Sequence, residues 1–135
     1  MIVLVPYAKD HLGARTVAAL EEYAPPDADV RYHEIAEGDR QGYSRILLEA
    51  WTWPGDLMIV EQDIEIREGI IEELTECSQP WCGFPYNIGQ SEIVCLGCTR
   101  FSAHLKATRP TLIDEAARVG SDDDGGGVPP SGAAG

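Results

Sequence analysis

The chain has 135 residues, the length of one ordinary domain, and carries a formal net charge of −13. Its 10 basic residues against 23 acidic ones argue against nucleic acid as a partner, because neutralising phosphates requires clustered Lys and Arg. No apolar run approaches the roughly 20 residues that span a bilayer. No basic leader precedes the first apolar segment, so we expect a cytoplasmic protein without a membrane span.

Apolar runs and helical periods alternate along the chain. Five strands are predicted, over residues 2–5, 30–35, 57–60, 81–88 and 93–96. Helices are predicted over residues 12–23, 43–51 and 66–76, and two last helical segments follow Ser102 and Thr108 as N-caps. This β-α-β-α-β-α-β-β-α order predicts an α/β domain over residues 1–119, with a mainly parallel sheet flanked by helices. Residues 120–135 are rich in Asp, Gly and Pro and are predicted to be a disordered tail.

The four cysteines are Cys77, Cys82, Cys95 and Cys98. In a cytoplasmic protein we expect them to be reduced, and free cysteine usually packs as a small buried apolar residue. The alternative is a structural zinc site that uses all four thiolates.

Three predicted strands end in residues that a ligand site would use. In chain order these residues are Pro6 and Tyr7, then Glu34, then the triplet Glu61-Gln62-Asp63. Because ligands bind outside the carboxyl ends of strands in open α/β sheets, we expect all of them at one edge. On an extended segment Glu61 and Asp63 point the same way, and a divalent cation would relieve their repulsion. Such oxygen ligands suit Mg²⁺ or Mn²⁺, whereas the simpler alternative is an acidic surface loop.

Residues 56–64, with the sequence DLMIVEQDI, resemble the strand and D-x-D-type motif of glycosyltransferases with the GT-A fold. The chain is similar in particular to the small family-2-like proteins of actinobacteria and their phages. Residues 81–86 and 96–102 resemble the same group, and the resemblance covers roughly residues 1–119. It implies a Rossmann-like GT-A domain that transfers a sugar from a nucleotide-sugar donor to an acceptor, either a protein or a glycan, in a metal-dependent reaction.

The resemblance also implies roles for individual residues. Pro6 and Tyr7 would contact the nucleotide base, Glu34 the base or ribose, Glu61 the ribose or metal, and Asp63 the Mn²⁺ or Mg²⁺ ion. Candidates for the general base are Glu92, Asp114 and Glu115. Arg100 would meet the diphosphate through bidentate contacts, or else form a surface ion pair.

Two features depart from the family pattern. Glu61 stands where aspartate is commoner, which lengthens the side chain by one methylene. The resemblance further implies a segment with a metal-binding histidine after the last helix, but Gly- and Pro-rich sequence follows here. The sequence therefore leaves three alternatives: an active glycosyltransferase, a truncated, non-catalytic nucleotide-binding domain, and an α/β domain of unrelated function that a four-thiolate zinc site stabilises.

Overall fold

The computed structural model describes residues 1–88 and 91–116, with side chains for residues 1–84 and 97–116. Its strands are β1 (Ile2–Ala8), β2 (Asp29–Ile35), β3 (Leu57–Val60), β4 (Trp81–Ile88) and β5 (Ser91–Phe101). Its helices are α1 (Ala14–Tyr23), α2 (Gly42–Trp51), α3 (Ile70–Glu76) and α4 (Ala103–Thr108). The predicted α/β class and the predicted order of elements are confirmed. No helix in these ranges is long and apolar enough to cross a bilayer.

The five strands form one sheet in the order β2-β1-β3-β5-β4. Strand β1 is parallel to both β2 and β3, whereas β5 is antiparallel to both β3 and β4. The prediction of a mainly parallel sheet is therefore wrong, and the sheet is mixed. The reason is the short connection between β4 and β5, since two residues allow a hairpin but not the crossover that parallel strands need.

Two apolar layers enclose the sheet. On one face, Val3, Val5, Met58 and Val60 pack with buried residues of α1 and α3. On the other face, Leu4, Leu57, Ile59 and Phe101 pack with buried residues of α2, including Trp51. Successive residues of β1 and β3 thus serve opposite layers, which explains why both strands are apolar at every buried position.

Strand β1 continues past Pro6, where the sequence predicted its end, as far as Ala8. Its pairing with β3 covers only residues 2–4, whereas its pairing with β2 continues to Ala8. Proline has no N–H to donate, and it is tolerated here because the ladder with β3 has already ended. The end of β1 therefore lies beside β2 but is no longer joined to β3.

Helix α3 and strand β5 differ in extent from their predictions. Helix α3 begins at Ile70 rather than Ile66, because Gly69 occupies the N-cap with a left-handed φ of 83°. Strand β5 is longer than residues 93–96, because its second half pairs with β3 as far as Phe101. Ser102 caps α4 as predicted, and its hydroxyl accepts a hydrogen bond from Leu105 N at 3.0 Å.

Cys77 and Cys82 form a disulfide, so the prediction that they are reduced is wrong. The loop between α3 and β4 brings their Cα atoms to 6.6 Å, within the range that a disulfide bridges. A zinc site with four thiolates is therefore excluded in this state, since two of the four sulfurs are bonded to each other. Cys98 is free and buried in the apolar core, as expected of a packing cysteine. The side chain of Cys95 lies outside the described residues.

Arg100 is a buried residue of β5, with only 3% of its surface exposed. Its guanidinium donates hydrogen bonds to the carbonyl oxygens of Leu74, Cys77 and Gln79, at 2.7, 2.7 and 2.8 Å. It pairs in register with Met58, near the amino end of β3. The side chain closes the end of α3 and does not face a diphosphate. Arg100 does form an ion pair with Asp56, at 3.5 Å, but its side chain is buried and not at the surface as expected.

Candidate functional site

A cavity of about 320 Å³ lies at the carboxyl ends of β1 and β3. Four residues that the sequence predicted for a ligand site line it, namely Pro6, Tyr7, Glu61 and Asp63. Pro6 is buried and Tyr7 is half-buried at the free end of β1, where that strand has separated from β3. Residues from the ends of β1 and β3 therefore share one cavity, whereas Glu34 of β2, expected at the same edge, is not in its wall. The volume of the cavity lies at the lower end for small-molecule sites.

The acidic triplet forms a turn instead of the extended segment that we expected. Ile64 N donates to Glu61 O at 3.0 Å, which closes the turn directly after β3. Glu61 N donates to Gly97 O at 2.8 Å, so the first residue of the turn is still held by β5. Glu61 is half-buried, whereas Asp63 is exposed. The two carboxylates therefore reach the same cavity from different positions of a turn, not from one face of a strand.

Gln62 fixes this turn against the rest of the domain. Its side-chain Oε1 accepts a hydrogen bond from Ala8 N at 2.8 Å, across the gap that opens where β1 and β3 part. Its carbonyl oxygen accepts from Gly13 N at 2.9 Å and from Thr16 Oγ1 at 3.0 Å. A Cβ atom on Gly13 would lie 3.1 Å from the same oxygen, so the start of α1 fits closely against the turn. Gln62 thus positions Glu61 and Asp63, the acidic residues that precede and follow it.

A second cavity, of about 470 Å³, adjoins the first and shares Ala8 and Ile35 with it. Its lining includes the basic side chains Lys9, His11 and Arg40. The same lining carries the acidic side chains Asp10, Glu37 and Asp39, so the cavity holds charges of both signs. The two cavities together form an extended groove along the carboxyl edge of β1 and β2.

The other predicted site residues do not line the first cavity as far as their side chains are described. Glu34 is exposed and stands opposite Tyr7 in the β1–β2 register, but it is not part of the cavity wall. Asp114 and Glu115 follow α4, and the Glu115 carboxylate accepts hydrogen bonds from Arg109 and Thr111 at 3.1 and 3.0 Å. Neither lines the cavity, and the side chain of Glu92 lies outside the described residues. The general-base roles of these three acids stay predictions.

Four residues of the first cavity were not predicted as site residues: Ala8, Ile35, Tyr43 and Gln62. Tyr43 lies in the first turn of α2, and its place in the helical period marked it as a packing residue. Gln62 stands between the two predicted acids. Because successive side chains of a strand point to opposite faces, the side chain of Gln62 was expected to point away from those of Glu61 and Asp63. The available signal was Pro6, since a proline in a central strand indicates that the ladder beside it ends.

Glu61 and Asp63 are the residues of the cavity that could hold a divalent cation. Glu61 and Asp63 supply carboxylate oxygens, the ligands that Mg²⁺ and Mn²⁺ prefer. Among the side chains described, no group of three or more His, Cys, Asp or Glu residues could hold a metal ion. Mg²⁺ usually takes one or two protein carboxylates and completes its shell with phosphate oxygens and water. Two acids are therefore enough for an ion that arrives with a phosphate.

Comparisons of the chain with known protein families, with curated proteins and with solved structures find no match. The similarity to GT-A-fold glycosyltransferases therefore rests on the sequence runs quoted above. Together with the cavity, these runs support a proposal about function.

Proposed function

We propose that this chain is a GT-A-like glycosyltransferase domain that binds a nucleotide-sugar donor in the cavity at the ends of β1 and β3. The observation that carries the proposal is the shared cavity of Pro6, Tyr7, Glu61 and Asp63. It combines an aromatic ring with two carboxylates at the edge where open α/β sheets bind ligands. A nucleoside diphosphate needs both, a planar surface for its base and a cation for its charged phosphates.

The aromatic part of the cavity receives the base in this proposal. Tyr7 and Tyr43 lie on β1 and α2, and both belong to the cavity wall. Pro6 adds a rigid apolar surface beside them, and its missing N–H leaves no backbone donor to be satisfied there. The exposed Glu34, next to Tyr7 in register, is available to the ribose hydroxyls at the rim.

The acidic part holds the cation, with Asp63 as ligand and Glu61 bound either to the ion or to the ribose. When bound, Mg²⁺ or Mn²⁺ neutralises the negative charge that develops on the departing nucleoside diphosphate. Without an ion, the two carboxylates repel the phosphates, so donor binding depends on the divalent cation. Gln62 keeps both acids in place through its bonds to Ala8, Gly13 and Thr16.

The transfer step moves the sugar to a hydroxyl of a protein or glycan acceptor, with a carboxylate as general base. Glu92, Asp114 and Glu115 remain the candidates for that base. The alternative is a domain that binds the nucleotide without transferring the sugar. A donor-hydrolysis assay with a panel of nucleotide sugars separates the two, because measurable turnover rules out the non-catalytic alternative.

Calorimetry with UDP, GDP, CDP and ADP, each with and without Mn²⁺, tests the binding proposal. We expect at least one nucleotide to bind, and only when Mn²⁺ is present. Asp63→Asn should weaken that binding at least about tenfold, which corresponds to about 1.4 kcal/mol. Glu61→Gln should weaken it in the same direction.

The matched control is Glu68→Gln, which removes the same charge from an exposed acid outside the cavity. It should leave the affinity unchanged. Equal affinities in Asp63→Asn and Glu68→Gln would remove Asp63 from the site. Tight binding in the absence of any divalent cation would contradict the metal-dependent proposal as a whole.

A further inference from the structure

The disulfide between Cys77 and Cys82 lies at the opposite edge of the sheet from the candidate site. Cys77 is the C-cap of α3, and Cys82 is the second residue of β4, paired in register with Arg100. Both cysteines are half-buried, so a small thiol can approach them from solvent. The loop that they close is held by Arg100, whose guanidinium binds the carbonyl oxygens of Cys77 and Gln79.

The two sulfurs have different electrostatic surroundings. The Sγ atom of Cys82 lies 3.7 Å from Nη2 of Arg100, a buried cation, and 3.7 Å from the carbonyl oxygen of Gln79, which accepts a hydrogen bond from the same Nη2. The ion-pair partner of Arg100 is Asp56, whose Oδ2 lies 3.5 Å from Nη1 and which also interacts with the ammonium group of Lys106. Cys77 instead ends a helix, where carbonyl oxygens carry partial negative charge. The contact with Arg100 therefore favours a thiolate at Cys82 over one at Cys77.

We propose that Cys77 and Cys82 form a reversible dithiol–disulfide pair, in which Cys82 is the sulfur released and regained as a thiolate beside Arg100. The exchange partner is a low-molecular-weight thiol or its disulfide. Positively charged surroundings are what favour reactive thiolates in proteins. In a reducing compartment, disulfides occur mainly as transient or redox-sensing bonds, which agrees with the cytoplasmic location that we expect.

Reduction takes two exchange steps. A small thiolate attacks the sulfur of Cys77, the Cys77–Cys82 bond breaks, and its electron pair leaves on Cys82, because the more stable thiolate is the better leaving group. A second small thiolate then attacks the outer sulfur of the mixed disulfide on Cys77. This step releases Cys77, which takes a proton from solvent, and yields the small disulfide. Two electrons pass from two thiols to the protein, and oxidation is the reverse.

Alkylation of single-thiol variants tests this asymmetry. In the full chain, Cys77→Ser leaves Cys82 as the remaining member of the pair, and Cys82→Ser leaves Cys77. Each variant is treated with iodoacetamide from about pH 5 to about pH 9, and the rate at that residue is measured by peptide mass spectrometry. The pH of half-maximal rate should be at least about one unit lower for Cys82 than for Cys77. Adding Arg100→Gln to Cys77→Ser should raise the value for Cys82.

Circular dichroism of the wild-type chain before and after reduction tests reversibility. The spectrum should be unchanged, and the disulfide should form again with a small oxidised thiol. Half-maximal rates at the same pH for Cys77 and Cys82, or a lower value for Cys77, would overturn the proposal, as would loss of structure on reduction. If Arg100→Gln does not fold, the comparison of Cys77→Ser with Cys82→Ser still shows which cysteine reacts at the lower pH, and so still tests the proposal.

Discussion

Replacing Gln62 with methionine should weaken the fold at the point where β1 and β3 part. Methionine keeps the length of the side chain but cannot accept the hydrogen bond from Ala8 N, which is 2.8 Å long in the native chain. The bonds from Gly13 and Thr16 go to the backbone carbonyl of residue 62, so the substitution leaves them intact. An unsatisfied buried donor costs about 1–3 kcal/mol. The contact is partly buried, so we expect about 1–2 kcal/mol.

Urea denaturation measures this loss. With a slope of about 2 kcal/mol/M, the midpoint should fall by about 0.5–1 M relative to the wild type. Gln41→Met is the matched control, because Gln41 is exposed and its side chain makes no capping hydrogen bond. The affinity for a nucleoside diphosphate and Mn²⁺ should also fall in Gln62→Met, since the turn that carries Glu61 and Asp63 loses one of the three hydrogen bonds that residue 62 makes to Ala8, Gly13 and Thr16. Equal midpoints for the two methionine variants would refute the role assigned to Gln62.

Two further predictions concern buried titratable groups. Burial lowers the pKa of Lys106 from 10.5, so the charge on Lys106 opposes folding at neutral pH. The charge is lost as the pH increases toward 10.5. The free energy of unfolding of the wild type should therefore rise over this range when it is compared with that of Lys106→Met. A difference that stays constant over that range would contradict this prediction. Burial raises the pKa of the Cys98 thiol to about 11, so iodoacetamide at about pH 8 should label Cys98 only after unfolding. Equal labelling rates in the native and unfolded chain would show that the thiol is accessible.

The sequence predicted those parts of the fold that depend on local patterns. The runs at residues 2–5 and 57–60 are apolar throughout, and both are buried strands that serve two apolar layers. The ends of these strands were expected at one edge, and Pro6, Tyr7, Glu61 and Asp63 meet there in one cavity. Local periodicity was sufficient to predict this meeting, because parallel strands run in the same direction and their carboxyl ends lie at the same edge of the sheet.

Features that depend on contacts between distant segments could not be predicted. The insertion of β5 beside β3 follows from packing across the whole sheet. The hydrogen bond between Gln62 and Ala8 joins residues 54 positions apart. It forms only because β1 extends beyond the residues that pair with β3. Arginine is usually found at the surface, but Arg100 is buried because the carbonyl oxygens at the end of α3 accept its hydrogen bonds. The hydrophobic periodicity of the sequence does not indicate these contacts between distant residues.

The central claim is that Asp63 holds a divalent cation that a bound nucleotide shares. Anomalous diffraction at the manganese edge, from crystals grown with Mn²⁺ and the nucleoside diphosphate that binds best, tests it most directly. We expect one strong peak at coordination distance, about 2.1 Å, from a carboxylate oxygen of Asp63, with the nucleotide phosphates on its other side. A nucleotide seated elsewhere, or a manganese ion with no bond to Asp63, would contradict the account.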